Sequence, residues 1–387
     1  MPTMITLLTL SHAVLGPVDT PDFVTQEIID RGIVSMGDGS RLNAVIAKAE
    51  AGEPVTIGVI GGSITQGAGA SGEATRYGNR VADWWREAFP QCEATFVNAG
   101  IGATGSDIGA HRVSDDLLVH GPDFVVIEYA VNDPNTELAA ETLEGLVRQV
   151  LAHPTQPAAM LLFTMHRGGG NAQEWHSKVG DHYGLPMVSF RDAVWPEIEA
   201  GRAEWEDVEA DEVHPNDAGH AICARLVAEA IDRQRRSEAT PDEPAAGLPE
   251  PLISDVFQRA TLLTVEDDPP IRLDGFTQGH TTQLGTAWCA DEPGATLALA
   301  FEGSSCAVSY FRIKGDMGRA EAWVDEGDRI LLEGWFDADW GGYSACAFIA
   351  RGLGPGEHTL HIRVLPARAE ASEGHRFEVH GALVAGR

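Results

Sequence analysis

Cysteine is scarce in this chain of 387 residues, which contains only five copies. An odd number of cysteines without a Cys-x-x-Cys pair argues against both a disulfide framework and a structural zinc site. No apolar stretch reaches the roughly 20 residues that a transmembrane helix needs. The apolar first residues, MPTMITLLTLSHAVLG, lack the basic segment that opens a secretory signal. We therefore expect a cytoplasmic protein whose first residues form a strand or an ordered arm, with an uncleaved or degenerate signal and secretion as the alternative.

Positive charge is also scarce. Lysine and arginine together number 27, against 58 aspartates and glutamates, so the formal net charge is -31. A field this negative repels nucleic acid and anionic membranes, and we exclude both as partners. The 43% of hydrophobic residues is ordinary for a globular protein with a sizeable core.

The first half of the chain alternates short apolar runs with helical patterns. The runs show no polar alternation, as expected of strands buried on both faces, and they lie at 55–62, 94–100, 123–131, 158–165 and 186–190. Helical patterns between the runs predict a parallel sheet covered by helices on both sides. Residues 41–236 are thus expected to form a three-layer α/β/α sandwich.

The second half has a different texture. Residues 237–251, SEATPDEPAAGLPEP, lack periodicity and are interpreted as a linker. Beyond them, short strand-like pieces separated by Gly, Asp and Pro predict an all-β sandwich or jelly roll over 252–387. Residues 1–40 remain as an N-terminal arm, which we expect to pack on this β-domain.

Ser63 follows the first predicted strand in the sequence IGGSITQG. Ligands bind at the carboxyl ends of strands in an open parallel sheet, so this strand-to-helix turn suits a nucleophile. Glycines around the serine permit a tight backbone and close approach of a substrate. Taken alone, the segment is more typical of an ordinary Gly-Ser turn than of a catalytic serine. It lacks the Lys-Ser/Thr ending of a phosphate-binding loop.

Asp211 and His214 lie three residues apart near the end of the α/β region, in DEVHPNDAGH. Histidine has the pKa that suits removal of a proton from a serine hydroxyl. A carboxylate that accepts the other imidazole N–H fixes the tautomer and stabilises the imidazolium. One loop can bring these two side chains together locally. A surface loop capped by aspartate is the alternative interpretation.

Two further segments end predicted strands. Asn132, in EYAVND, offers a side-chain amide to a developing oxyanion, or simply forms a polar turn. The loop NAGIGATGS at 98–106 offers backbone N–H groups at the same sheet edge, or is a flexible connection. The order of serine, small-residue loop, asparagine and Asp-x-x-His favours the functional interpretation of all four segments.

This ordered set resembles the SGNH hydrolases, also called the GDSL esterase/lipase superfamily, over about residues 41–236. The resemblance implies a flavodoxin-like sheet and ester hydrolysis through an acyl-serine intermediate. It implies Ser63 as nucleophile, His214 as base, Asp211 as the residue that orients His214, and Asn132 as an oxyanion donor. The Ser63 N–H and a backbone N–H of Gly102 or Ala103 complete the implied oxyanion hole.

The sequence departs from the family pattern in two places. It has Gly61-Gly62-Ser63-Ile64 in place of Gly-Asp-Ser-Leu, and Ala103 stands where the family glycine aligns, with Gly102 before it. The GGSIT variant with a C-terminal β-domain is similar to bacterial carbohydrate esterases that remove acetyl groups from polysaccharides. The resemblance therefore implies an acetylated saccharide as substrate, with no metal and no organic cofactor.

Four residues are weaker candidates for substrate contact. His166, Arg167 and Gln173 follow the fourth strand at the edge of the sheet that carries Ser63, and Trp340 lies in a Gly-containing aromatic segment of the β-domain. A lipid or aryl esterase is the alternative within the superfamily. A carbohydrate-binding protein without catalysis is the alternative from another class.

Overall fold

The computed structural model describes residues 20–237, 247–267, 269–280 and 284–386. The helices of the first domain are Gln26–Gly32 (α1), Ser40–Glu50 (α2), Ser63–Gln66 (α3), Tyr77–Ala88 (α4), Ser106–Asp116 (α5), Glu137–Ala152 (α6), Gln173–His182 (α7), Phe190–Glu199 (α8) and Asp217–Arg236 (α9). Its strands are Ile33–Ser35 (β1), Val55–Gly61 (β2), Ala94–Gly100 (β3), Phe124–Glu128 (β4), Ala158–Phe163 (β5) and Met187–Ser189 (β6). Among the described residues, no helix combines the length and apolar character required to cross a bilayer.

These strands form one sheet in the order β1-β6-β5-β4-β2-β3. All neighbours pair in parallel except β1, which runs antiparallel to β6. The predicted α/β class is confirmed, and the parallel strands lie within the apolar runs that predicted them. Two apolar clusters cover the two faces of the sheet. One contains residues of α2, α4 and α9, and the other contains residues of α5, α6 and α7.

The predicted N-terminal arm is wrong for residues 20–40. They form α1, β1 and the start of α2, so the α/β domain begins well before residue 41. Arg31 donates to the carbonyl of Asp192 over 2.8 Å and pairs with Glu197 over 2.7 Å, both on α8. These residues therefore pack on the α/β domain instead of the β-domain. The preceding residues 1–19 lie outside the described part of the chain.

The second domain is an antiparallel β-sandwich, as predicted. Its strands are Ala260–Leu263 (β7), Arg272–Asp274 (β8), Thr277–His280 (β9), Thr286–Ala290 (β10), Thr296–Glu302 (β11), Ser305–Arg312 (β12), Arg319–Val324 (β13), Ile330–Glu333 (β14), Tyr343–Arg351 (β15), Glu357–Val364 (β16) and Phe377–Ala385 (β17). One sheet has the order β15-β12-β17-β10-β9, with β7 also paired to β17, and the other has the order β14-β13-β16-β11-β8. Their inner faces share one apolar cluster.

The two domains are joined by direct packing. Part of the predicted linker, residues 238–246, lies outside the described residues. Directly after the predicted linker, the backbone N–H groups of residues 252–254 donate to the buried carboxylate of Glu144 on α6. Ile108 on α5 packs against Ala307 and Leu383 of the β-sandwich. The β-domain is therefore held against the helices that follow β3 and β4, beside the carboxyl edge of the parallel sheet.

Candidate active site

Ser63 lies where a central parallel strand turns into a helix. β2 ends at Gly61, and α3 begins at Ser63 itself. Gly67 closes the turn with a φ of 111°, a backbone conformation that favours glycine, and its N–H donates to the Ser63 carbonyl over 2.9 Å. This sharp turn holds Ser63, half-buried, at the carboxyl edge of the sheet.

The loop before α9 carries Asp211 and His214. The Ala210 N–H donates to the His214 carbonyl over 2.7 Å, which closes the loop into a tight turn. Asn216 caps α9, because its side-chain oxygen accepts two backbone N–H groups from the first turn of the helix. The loop is thus fixed at one end by its own turn and at the other by a helix of 20 residues.

His214 connects the other two side chains. Its Nδ1 lies 2.7 Å from Asp211 Oδ2, and its Nε2 lies 2.8 Å from Ser63 Oγ. Because an ionised carboxylate only accepts, the ring proton lies on Nδ1, and Nε2 is free to accept the Ser63 hydroxyl proton. The predicted Ser63, His214 and Asp211 thus form one hydrogen-bonded chain, with His214 in the middle.

The environment of Asp211 favours its charged form. Burial alone would raise its pKa, but the His214 ring and the N–H groups of Val213 and His214 donate to the carboxylate and lower the pKa below its ordinary value. Both N–H groups reach Oδ1 over 2.9 Å, while Oδ2 faces the imidazole. The carboxylate is therefore held in one orientation, with one oxygen directed to His214.

Arg167 braces the loop that carries His214. It pairs with Glu206 over 2.9 Å and with Glu212 over 3.0 Å, and its guanidinium lies 5.8 Å from the ring centre of Trp205. Trp205 Nε1 in turn donates to the Asp211 carbonyl over 2.6 Å. Arg167 is thus engaged in ion pairs on the rim of the site, and its contact with substrate stays a prediction.

The other two candidates from this region are also engaged within the fold. His166 Nε2 donates to the carbonyl of Val131 over 2.8 Å, next to Asn132. The prediction for Gln173 is wrong, because its side chain is buried and both ends of its amide are used. Its Nε2 donates to Asp192 over 2.6 Å, and its Oε1 accepts from the Ser189 hydroxyl over 2.7 Å.

Asn132 lies against the turn that carries Ser63. A Cβ atom at Gly62 would come within 2.1 Å of the Asn132 Oδ1 atom. That oxygen is buried and has no hydrogen-bond donor among the described residues. Gly62 has a φ of -85°, which any residue adopts, so glycine is required there for space alone. The missing aspartate of the GDSL pattern is thus explained by the close approach of the Asn132 amide.

The loop after β3 supplies the other side of the candidate oxyanion hole. Ala103 has a φ of 56°, in the left-handed region that favours glycine, which explains why the related family has glycine at the aligned position. Ala103 lines the same cavity as Asn132, whereas Gly102 does not. The geometry thus favours Ala103 over Gly102 as the contributor from this loop.

The cavity lies between the two domains and measures about 350 Å³. The α/β domain contributes Ala103, Asp107 and Asn132 to its wall, and the β-domain contributes Arg312 and Tyr343. A group bound at Ala103 and Asn132 would therefore extend into a space that both domains enclose.

An aromatic group of the β-domain borders this cavity. Trp340 is 62% exposed and lies 5.9 Å from the ring of Tyr343 and 5.6 Å from that of Phe336. Arg312 donates to the Tyr343 hydroxyl over 2.6 Å and lies 5.3 Å from the ring centre of Phe336. The predicted substrate residue Trp340 thus belongs to an exposed cluster whose member Tyr343 faces the cavity.

Sequence reasoning missed Asp107 and Arg312 on the cavity wall. Asp107 directly follows the loop 98–106, so its position was a signal that could have identified it. Burial and the neighbouring Asp133 raise the pKa of Asp107 to about 6. Nothing in the local sequence marks Arg312, because its place at the site depends on how the two domains pack. In the described part of the chain, no group of three or more His, Cys, Asp or Glu side chains is arranged to hold a metal ion.

Comparisons with known proteins agree with this arrangement. A family model described as GDSL-like lipase/acylhydrolase matches residues 59–222. A crystal structure of a two-domain esterase (CEX) active on acetylated mannans is 32% identical and superimposes with a TM-score of 0.86, covering 93% of this chain and 98% of that one. The same esterase co-crystallised with mannopentaose gives 33% identity, a TM-score of 0.84 and the same coverage. Among curated proteins, none matches the sequence.

The α/β sheet with its Ser-His-Asp edge and the attached β-sandwich define a two-domain carboxylic ester hydrolase. The chain belongs to the GDSL-like lipase/acylhydrolase family.

Proposed function

We propose that this protein removes O-acetyl groups from oligo- or polysaccharides, with Ser63 as the nucleophile. The single observation that carries the proposal is the continuous hydrogen-bonded chain from Asp211 through His214 to Ser63, at the carboxyl edge of the sheet and beside Asn132. A serine hydroxyl becomes an effective nucleophile only when a base accepts its proton, and this chain supplies that base.

In the first half of the reaction, Ser63 Oγ attacks the ester carbonyl carbon while its proton passes to His214 Nε2. The negative charge that develops on the carbonyl oxygen is stabilised by the N–H groups of Ser63 and Ala103 and by the Asn132 side-chain amide. The bond to the sugar oxygen then breaks, and His214 returns the proton to that oxygen. The products are a free saccharide hydroxyl and an acetyl ester on Ser63.

In the second half, water attacks the acetyl-serine carbonyl while His214 Nε2 takes one of its protons. The same three donors stabilise the second tetrahedral intermediate. When the bond to Ser63 Oγ breaks, His214 returns the proton to the serine, and acetate leaves. Throughout the cycle the Asp211 carboxylate stabilises the transient imidazolium and holds its orientation.

Two observations support a saccharide as the alcohol part of the substrate. The cavity wall combines carboxyl, guanidinium and phenol groups, which suit a ligand rich in hydroxyls, and an exposed aromatic cluster borders it. The similar two-domain esterase is active on acetylated mannans. We therefore infer that Trp340 and Tyr343 contact the sugar chain, and that acetylated mannans are the first substrates to test.

The proposal is tested by acetate release from acetylated mannan, xylan and simple esters of increasing acyl length. We expect wild-type activity on acetyl esters that falls with longer acyl chains, and no activity in Ser63→Ala. Ser114→Ala is the matched control, because Ser114 is exposed and lies on α5. Activity in Ser63→Ala equal to that of wild type would contradict the assignment of Ser63 as the nucleophile. Preference for long acyl chains would contradict an acetylesterase and favour a lipid esterase.

A further inference from the structure

A fully buried carboxyl group lies beneath the site and takes no part in the reaction described above. Glu128, the last residue of β4, has no exposed surface. Its Oε1 accepts from the Thr164 hydroxyl over 2.6 Å, and its Oε2 accepts from the Thr65 hydroxyl over 3.4 Å. Burial raises the pKa of Glu128 to about 7 despite these bonds. Burying a carboxyl group costs free energy, so its presence here calls for a role.

The partners of Glu128 belong to the elements that carry the site. Thr65 lies two residues after Ser63 on the same short helix, and Asn132 follows Glu128 by four residues. The Thr65 hydroxyl also lies 2.8 Å from the Tyr77 hydroxyl, at the start of α4. One hydrogen-bonded chain therefore joins the Ser63 turn to the strand that leads to Asn132.

The backbone at Gly61 makes this chain possible. A Cβ atom there would come within 2.2 Å of the Thr65 hydroxyl and 2.3 Å of the Glu128 carbonyl oxygen. The Asn98 side chain adds a second restraint, since its Nδ2 donates to the Thr65 carbonyl over 2.9 Å. The helix that begins at Ser63 is thus held to its neighbours through Thr65 as well as by the bonds of Ser63 itself.

We propose that Glu128 is a positioning residue, which holds the Ser63 turn at a fixed distance from Asn132 by accepting the Thr65 hydrogen bond. This inference rests on the proposed function, because it assigns Ser63 and Asn132 to the same tetrahedral intermediate. The oxyanion donors act only if the attacking oxygen and the Asn132 amide keep their separation. A displacement of about 1 Å at such a site costs on the order of 100-fold in rate.

Thr65 and Thr164 offer a matched pair of variants. Both are fully buried, and each donates one hydroxyl hydrogen bond to Glu128, but only Thr65 belongs to the Ser63 turn. Thr65→Val and Thr164→Val each remove that hydroxyl with little change of shape. Because Thr65→Val also loses the 2.8 Å contact with the Tyr77 hydroxyl, we expect its Tm to fall further than that of Thr164→Val, and Tyr77→Phe, which removes only that contact, is measured beside it.

The decisive measurement is kcat and KM of these variants on one acetyl ester, well below their Tm. Thr65→Val is expected to lower kcat by on the order of 10- to 100-fold with KM within about threefold of wild type, and Thr164→Val to change kcat by less than about threefold. Thr65→Ser, which keeps the hydroxyl, is expected to restore most of kcat. Equal kcat values for Thr65→Val and Thr164→Val would overturn the inference.

Glu128→Met provides an independent variant if Thr65→Val does not fold, because methionine has a similar length and accepts no strong hydrogen bond. We expect its kcat to fall as in Thr65→Val, and a kcat within about threefold of wild type would contradict the inference. Wild type and Ser63→Ala are measured in the same assay. A wild type without esterase activity would refute the proposed function, whereas an active wild type with an unaffected Thr65→Val would refute only the role of Glu128.

Discussion

At the scale of single residues, the site depends on how little freedom its polar atoms have. The two Asp211 oxygens have separate partners, one facing the His214 ring and the other two backbone N–H groups. The Asn132 Oδ1 atom lies against Gly62, which determines the side of the amide that faces the turn. Reactive groups that are fixed in advance need no reorganisation when charge develops in the transition state.

The role of Asn132 leads to a prediction about rate. Asn132→Ala removes one side-chain oxyanion donor, so we expect kcat on acetyl esters to fall by on the order of 100- to 1,000-fold. KM is expected to change little, because the donor acts mainly on the charge of the tetrahedral intermediate. Steady-state kinetics provide the measurement. Asn135→Ala is the control, since Asn135 is exposed on the same loop and bonds to Glu174 and Trp175. Equal kcat values in the two variants would exclude Asn132 as a donor.

At the scale of secondary-structure elements, the strand-to-turn junctions bring the site together. β2, β3 and β4 are neighbours in the sheet, and the residues after their carboxyl ends supply Ser63, Ala103 and Asn132. The chain turns sharply after β4, where the Asn132 N–H donates to the Tyr129 carbonyl over 3.1 Å. Side chains that are distant in sequence therefore meet at one edge because the strands are parallel and adjacent.

Gly62 is expected to be the most sensitive position of the β2 junction. Gly62→Ala places a methyl group where the Asn132 Oδ1 atom lies, so the amide or the turn must move. We expect kcat to fall by about 100-fold and the free energy of unfolding to fall by about 1–3 kcal/mol. Gly72→Ala serves as control, because no atom lies within 4 Å of its added Cβ. Kinetics and denaturant unfolding of both variants test this, and an unaffected kcat in Gly62→Ala would show that the contact has no functional role.

The elements also explain what could be predicted from the sequence. Strands buried on both faces require continuous apolar runs, so β2 to β6 could be predicted from the sequence. The predicted run 123–131 extends past the end of β4 because apolar residues continue into the turn. α1 and β1 were missed, since a helix of seven residues and a strand of three give little periodicity. Gln173 was misassigned because a sequence does not reveal that both ends of an amide are used internally. Arg312 was missed because domain packing leaves no local pattern.

At the scale of the whole molecule, the β-domain completes the cavity. If Trp340 contacts the sugar chain, Trp340→Ala should raise KM for acetylated mannan oligosaccharides by about 10-fold, because loss of one aromatic contact costs on the order of 1–2 kcal/mol. Activity on a small aryl acetate, which has no sugar chain, should stay unchanged. Leu331→Ala, at an exposed position on the other sheet of the sandwich, is the control. A KM for the oligosaccharide equal to wild type would exclude Trp340 from binding.

Buried carboxyl groups predict how the stability of the whole molecule depends on pH. Burial raises the pKa of Glu209 to about 9, with a further contribution from Asp211. In the unfolded chain this carboxyl ionises near pH 4.5, so the native state holds the extra proton between about pH 5 and 9. The free energy of unfolding therefore falls with rising pH through this range, by at most about 1.4 kcal/mol per pH unit for this group.

The difference between wild type and a Glu209 variant from pH 7 to 9 isolates this effect, because the buried thiols of Cys223, Cys306 and Cys346, whose pKa values burial also raises, lower the stability of both proteins equally towards pH 9. The buried histidines His111, His220 and His380 have pKa values lowered to about 4, so they are neutral in both states above pH 7. Glu209→Gln should flatten the decline, as measured by urea unfolding at pH 7, 8 and 9. Glu206→Gln, on the exposed side of the same loop, should leave it unchanged. A decline that is the same in Glu209→Gln and wild type would contradict the assignment of the proton to Glu209.

The central claim is that Ser63 carries the acyl group during turnover. Mass spectrometry of the protein after acid quenching, during hydrolysis of an activated acetyl ester, measures this directly. We predict one acetyl group, located on the peptide that contains Ser63 and absent from Ser63→Ala. Sustained hydrolysis by the wild type with the acetyl group on another residue, or with hydrolysis retained in Ser63→Ala, would contradict the account.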